Sequence, residues 1–216
     1  MNKVLSTMMV LAAVAGFSGA AQAQDAKAGG SKAAMCIGCH SIPGYQSSFP
    51  EVHKVPMIAG QNAQYIVAAL NAYKKGERKH PTMRGIADTL SEQDMADIAA
   101  YYEALPAAQP VPEQPAKQPS AEVAALLQKG ACVSCHGANF SKPIDGSYPK
   151  IAGQHPDYLY VALKSYKTEG NPYIGRANAI MAGQVKQFSN AELKAIAQYI
   201  GSLPGEMKVV PQSRFR

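Results

Sequence analysis

Two five-residue runs carry the chemistry of this chain: Cys36-Ile37-Gly38-Cys39-His40 and Cys132-Val133-Ser134-Cys135-His136. Cys-x-x-Cys-His is the attachment signal for c-type haem. Its thiols add to the porphyrin vinyl groups, and the adjoining histidine lies under the iron and gives one axial nitrogen. The chain has four cysteines, and the two runs use all of them. None is left for a disulfide, a cysteine nucleophile or a thiolate ligand. A single Cys-x-x-Cys would also suit half a zinc site or a thioredoxin-like redox pair. Zinc does not need a histidine directly after the second cysteine, twice, and no βαβ pattern surrounds either motif. Two covalently bound haem c groups are therefore expected on Cys36, Cys39, Cys132 and Cys135, with His40 and His136 as iron ligands.

The second axial position decides the function. An iron with one protein ligand can bind small molecules or do chemistry, whereas an iron with two mainly transfers electrons. In the second half the candidates are Met181, Met207 and His155. Met207 lies beyond the last expected helix, and His155 stands at a helix start as a capping or surface residue. In the first half they are Met35, Met57, Met83, Met95, His53 and His80. Met35 adjoins the cysteine motif and is expected to pack. Met57 and His53 fall opposite Lys150 and Gly146 in the second half, so neither has a ligand counterpart. Met95 falls opposite Leu193, which points to core packing. Met83 and Met181 each precede a helix-capping serine, Ser91 or Ser189, by eight residues. This shared spacing favours them as the ligand pair. His80 competes with Met83 from three residues away; it takes the place of Asn178, and Arg78 that of Arg176. A polar side chain there is expected to donate a hydrogen bond to the methionine sulfur rather than bind iron.

Helices are expected to position these residues. Ser91-Glu92-Gln93-Asp94 and Ser189-Asn190-Ala191-Glu192 are capping-box-like starts, each before a helical apolar pattern. Helices also fit Asn62–Arg78, Pro156–Glu169 and Ser120–Lys129, and no strand pattern of useful length is present. The halves repeat: Pro56-Met57-Ile58-Ala59-Gly60-Gln61 matches Pro149-Lys150-Ile151-Ala152-Gly153-Gln154, and Tyr65, Leu70, Tyr73 and Lys74 match Tyr158, Leu163, Tyr166 and Lys167. Between them, five prolines from Pro106 to Pro119 lack amide donors and fix φ, so this stretch reads as a semi-extended linker. The fold class read from these patterns is all-α, two tandem haem-bearing units joined by a Pro-rich linker. The boundaries are 24–105, 106–119 and 120–216. Each small half would gain a large apolar core element from its haem.

Residues 1–23 read as a secretory signal: Lys3, an apolar run from Val4 to Phe17, and Ala21-Gln22-Ala23 as cleavage site. The run is short of the ~20 residues of a spanning helix. A periplasmic protein is expected. Charge is uneven: Gln24–Pro110 holds eight basic and eight acidic residues, and Val111–Arg216 holds twelve and seven, a net +5. In an exported haem protein this argues less for nucleic acid than for a dipole that orients docking to an acidic redox partner. Lys164, Lys167, Lys186 and Lys194 mark the candidate face.

The paired haem motifs, the Pro-x-Ile-Ala-Gly-Gln segments, and Met83-Arg84-Gly85-Ile86-Ala87 running into Leu90-Ser91 resemble the cytochrome c4 family over essentially the whole mature chain. The resemblance implies two tandem class I-like cytochrome c domains, packed through a pseudo-twofold interface with the haems near one another. It also implies His/Met ligation at both irons, carried onto His40 with Met83 and His136 with Met181. The implied role is a non-enzymatic carrier between a quinol-oxidising complex or dehydrogenase and a terminal oxidase, with loose membrane-surface association left open. The alternative is the cytochrome subunit of a periplasmic dehydrogenase. A dihaem peroxidase would need an iron open to peroxide, which two ligand methionines oppose.

Overall fold

The computed structural model describes residues 24–108 and 110–212, so the expected leader lies outside the described residues. The first half runs α1 (Ala26–Lys32), α2 (Ala34–His40), β1 (Gln46–Ser47), β2 (His53–Lys54), α3 (Ala63–Lys74), β3 (Arg78–Lys79), α4 (Pro81–Asp88) and α5 (Glu92–Ala104). The second runs α6 (Ala121–Lys129), α7 (Val133–His136), α8 (Pro156–Ser165), β4 (Gly175–Arg176), α9 (Ala179–Val185) and α10 (Asn190–Gly201). The strands are two residues each, so the protein is helical in substance.

Local chemistry explains the helix ends. Ser91 and Ser189 each accept from the backbone N–H three residues on, and Asp94 and Glu192 reach back to the cap N–H, which closes a full capping box at α5 and α10. α3 ends at Lys74, short of the expected Arg78, because Gly76 turns the backbone left-handed at φ +74°. α8 stops at Ser165 rather than Glu169, its last turn tightening as Tyr166 N–H and Lys167 N–H bond to Leu163 and Lys164 carbonyls.

Each half has its own apolar cluster. In the first, Ile37, Ile66, Leu70, Met95, Ile98 and Tyr102 are buried together, which puts Met95 in the core as expected. In the second, Leu126, Phe140, Leu159, Leu193, Ile196 and Ile200 do the same. Lysines in equivalent places brace both: Lys74 Nζ donates to the Leu90 carbonyl and Lys167 Nζ to the Phe188 carbonyl, each just before a cap serine. α1 crosses α5 so closely at Gly29 that a Cβ there would lie 1.9 Å from the Asp97 carbonyl oxygen. The Asp97 carboxylate fastens the same crossing, taking Asp25 N–H at 2.9 Å and Lys32 Nζ at 2.7 Å.

The halves meet along a seam. β3 and β4 pair antiparallel across it, with Arg78 opposite Arg176. Lys54 reaches Asp157 at 3.3 Å, and Lys164 reaches Glu51 at 2.8 Å. The tail after α10 returns over the first half, where Lys208 N–H donates to the Ala59 carbonyl at 3.2 Å, while Glu206 pairs with Lys150 of its own half at 2.5 Å. Gly60 (φ +85°) is left-handed beneath this tail, where a Cβ would meet the Glu206 carbonyl oxygen at 3.0 Å. The described proline-rich residues between the halves form neither helix nor strand. They lie against the second half through Asn139 Nδ2 to the Pro112 carbonyl (2.6 Å) and Tyr199 OH to the Lys117 carbonyl (2.9 Å).

Gly29→Ala should force α1 off α5, at a cost of about 1–3 kcal/mol for an overpacked core contact. A thermal melt of the holoprotein should show an earlier transition; an unchanged midpoint would mean that α1 slides without penalty.

Candidate haem sites

His40 ends α2 and His136 ends α7, each on the turn that carries its two cysteines. His40 Nδ1 lies 2.8 Å from the Pro56 carbonyl oxygen, and His136 Nδ1 lies 3.1 Å from that of Pro149. A carbonyl oxygen only accepts, so Nδ1 carries the proton in both rings. Burial is the main cause lowering both pKa values, which keeps the rings neutral. The Nε2 lone pair is left for a metal, the tautomer that an iron ligand needs. The four cysteines are free thiols, each partly buried. Burial pushes the Cys36 thiol up to about 11 and raises that of Cys132.

Met83 and Met181 hold the same position on short helices. Each is the third residue of its helix, α4 or α9, and each is partly buried against its own half's cluster, as Cys36 is in the first half and Cys132 in the second. Each has its backbone N–H taken by the cap side chain three residues before it. His80 Nδ1 accepts from Met83 N–H at 3.4 Å, and Asn178 Oδ1 accepts from Met181 N–H at 2.9 Å. Both side chains thus engage the methionine backbone, a role not anticipated from the sequence. They act as helix caps because a side-chain acceptor at that position faces a backbone N–H with no partner inside the helix. Burial lowers the His80 pKa, offset in part by a hydrogen bond with the Phe49 backbone.

Other expectations need correction. Met35 is exposed rather than packed, and Met207, set aside because it follows the last helix, is 4% exposed in the seam. Two of the four lysines of the candidate docking face are engaged, Lys164 with Glu51 across the seam and Lys167 with the Phe188 carbonyl. Lys186 and Lys194 are exposed.

The seam also gathers residues that the sequence showed only as repeat matches, with no role assigned. Arg78 donates to Tyr65 OH at 3.2 Å and to Tyr158 OH at 2.7 Å; Arg176 donates to Tyr158 OH at 3.2 Å and lies over the Tyr158 and Tyr166 rings. Neither guanidinium forms a salt bridge among the described residues, and Arg78 Nε is buried with no partner. Burial alone would raise the Tyr158 hydroxyl; the two guanidiniums outweigh it and bring it down to about 8. Two enclosed cations with an unfilled donor ask for an anion. The carboxylates of a porphyrin meet that demand, and with the free thiols and the correctly protonated histidines they make the residues fit a c-type haem. The signal in the sequence was the recurrence of Arg78 and Arg176 at one distance before their methionines.

Two helical units, each with a Cys-x-x-Cys-His turn, define a dihaem c-type cytochrome. The family description "Cytochrome c" matches residues 27–105 and again 120–204. Cytochrome c4 of Azotobacter vinelandii is 32% identical, over 94% of this chain and the whole of that relative. The crystal structure of reduced recombinant cytochrome c4 from Pseudomonas stutzeri superposes with a TM-score of 0.59 at 28% identity, covering 84% of this chain and all of that one. A thiosulfate dehydrogenase electron acceptor of Stutzerimonas stutzeri strain A1501 is 30% identical, over 81% of this chain and 82% of its own length. The chain belongs to the cytochrome c4 family. It is an electron-transfer protein with two haem c groups.

Asn178→Ala removes the acceptor for Met181 N–H and should cost about 1 kcal/mol, as lost helix caps do. Denaturant unfolding of the holoprotein measures this, and a stability equal to wild type would deny the cap any role.

Proposed function

We propose that the chain is a periplasmic one-electron shuttle between a quinol-oxidising complex or dehydrogenase and a terminal oxidase, and that it transforms no substrate itself. The observation that carries this reading is the matched pair of histidine–proline bonds, which leaves Nε2 free beside two unpaired thiols in each half. Cys36 and Cys39 would hold one haem and Cys132 and Cys135 the other; His40 with Met83, and His136 with Met181, would fill the axial positions. The domains on this reading are 24–105 and 120–216, with 106–119 as linker and 1–23 as a cleaved export signal.

Each bound haem supplies a single-electron exchange between ferrous and ferric iron. The protein's part is to fix both ligands and seal the site. The proline carbonyl under each histidine orients the ring and raises its basicity. A neutral methionine sulfur favours the ferrous state and raises the potential. The cap on each methionine helix holds the residue in place, and His80, with Nδ1 engaged by Met83 N–H, supports Met83 over itself as ligand. No helix among the described residues is long and apolar enough to cross a membrane.

A second reading has support from one observation. The likeness to a thiosulfate dehydrogenase electron acceptor extends over most of the chain, so this cytochrome would serve one periplasmic dehydrogenase as its dedicated acceptor. Affinity co-purification from the native host separates the two: a dehydrogenase in stoichiometric yield supports the second, and its absence the first.

The oxidised protein should show a near-infrared sulfur-to-iron band worth two haems. Met181→Ala should leave one reduced haem that binds carbon monoxide. Ready binding by unsubstituted protein at both haems would defeat the carrier reading, and a band worth one haem would point to His80 at the first iron.

Reduction of an acidic partner should slow with rising salt, since exposed charges are screened within about 10 Å at roughly 0.1 M ionic strength. Lys186→Glu with Lys194→Glu should slow the low-salt rate and flatten its salt dependence; an unchanged rate would remove this face as the docking site.

A further inference from the structure

Three side chains at the centre of the seam join the two histidines. The peptide between Pro56 and Met57 presents its carbonyl to His40 Nδ1 at 2.8 Å, and its N–H donates to Gln154 Oε1 at 3.0 Å. The peptide between Pro149 and Lys150 does the same: its carbonyl faces His136 Nδ1 at 3.1 Å, and its N–H donates to Gln61 Oε1 at 2.9 Å. Each glutamine thus serves the histidine of the opposite half. The amide orientations are forced, because Gln154 Oε1 also takes His155 N–H and Gln61 Oε1 also takes Asn62 N–H. Each Nε2 donates to a carbonyl of the opposite segment, Gln61 to Lys150 and Gln154 to Met57, both at 2.9 Å. Both also converge on one shared acceptor, the Met207 sulfur, at 3.2 Å from Gln61 and 3.7 Å from Gln154. All three side chains are about 4% exposed, so water does not interrupt the chain.

Every bond in this series donates toward Met207. Histidine donates to a carbonyl, the N–H of that same peptide donates to a glutamine oxygen, and that glutamine's amide donates to the sulfur. Hydrogen bonds in such a series polarise one another, most strongly where the local dielectric is low. A stronger acceptor beneath Nδ1 gives the imidazole more anionic character, which favours ferric iron and lowers the potential.

We propose that Gln61, Gln154 and Met207 form a hydrogen-bonded relay through which each half tunes the potential of the haem in the other. They are positioning residues, acting through His40 and His136, and the inference rests on those histidines being iron ligands as read above. Met207 is the shared terminus. When one iron is oxidised its histidine donates more strongly, the sulfur is drawn toward that branch, and the other branch weakens. The remaining ferrous haem then becomes harder to oxidise. The relay thereby spaces the two potentials, beyond what charge repulsion between the irons would do.

The test is the crossing. Gln154→Leu lies in the second half but should raise the potential of the His40 haem by about threefold in its redox equilibrium constant, ~28 mV at 59 mV per tenfold for one electron. The His136 haem should stay nearly unchanged. Gln61→Leu should give the mirror result. Optical redox titration reads the two potentials. Axial-methionine methyl signals of the ferrous protein assign them to halves, by comparison with Met83→Ala and Met181→Ala. A glutamine substitution that merely loosens the seam would shift both haems together or the nearer one, and either result overturns the relay. Should Gln154→Leu fail to fold, Met207→Leu carries the test at similar side-chain volume: both potentials should rise, by about twofold in each redox equilibrium constant, ~18 mV, from losing the shared acceptor. Unchanged potentials there overturn the inference. Unsubstituted protein without two histidine–methionine spectra would sink the ligation reading itself; normal spectra with no crossing sink only the relay.

Discussion

A neutral imidazole can offer a lone pair from only one nitrogen, and which one is settled by what the other donates to. In both halves Nδ1 is committed to a proline carbonyl. Much of the architecture holds that carbonyl in place. Each proline begins a Pro-x-Ile-Ala-Gly-Gln segment, whose left-handed glycine lies under returning chain and whose glutamine grips the equivalent peptide of the other half. A shift of an ångström in either segment would break the bond to the histidine ring and release its orientation. The two histidine sites are therefore not independent of one another; each is buttressed from across the seam.

The seam shows the reciprocity expected of a twofold contact, in which a residue of one half meets the partner's counterpart and is met in return. Gln61 clamps the peptide before Lys150, Gln154 clamps the peptide before Met57, and Arg78 lies opposite Arg176. The symmetry fails where one copy of the sequence must serve two places. The single tail after α10 crosses the axis, so only one methionine sulfur is available to two glutamines, at unequal distances. A duplicated fold with an unduplicated tail gives two similar haem environments a built-in difference.

The arginine–tyrosine cluster answers a different demand. Two guanidiniums in the seam, without a carboxylate partner among the described residues, would be costly if nothing anionic joined them. Their placement beside the β3–β4 contact would let one cluster serve porphyrin carboxylates from both halves. The uneven surface charge works at longer range. Its effective groups are those whose heads are free, and Lys164 and Lys167 already have partners inside the molecule.

Attachment chemistry, haem count, internal duplication and the main helix starts were legible in the residues alone, because each depends on neighbours a few positions apart. A thioether motif spans five residues, and a capping box at Ser91 or Ser189 spans four. The equal spacing of Met83 and Met181 to those serines likewise survived as equal placement on short helices. Other facts needed the packed molecule. His80 and Asn178 accept from the methionine backbone, since the helix start presents an N–H with no partner inside the helix. Gln61, Gln154, Arg78 and Met207 acquire their roles from partners 80 to 146 residues away, except Gln154 with Met207 at 53 and Arg78 with Tyr65 at 13. No periodicity within a helix encodes such pairs. They exist only once two amphipathic halves have buried their clusters and come together, which sets by tertiary geometry the polar atoms that face each other in the absence of water.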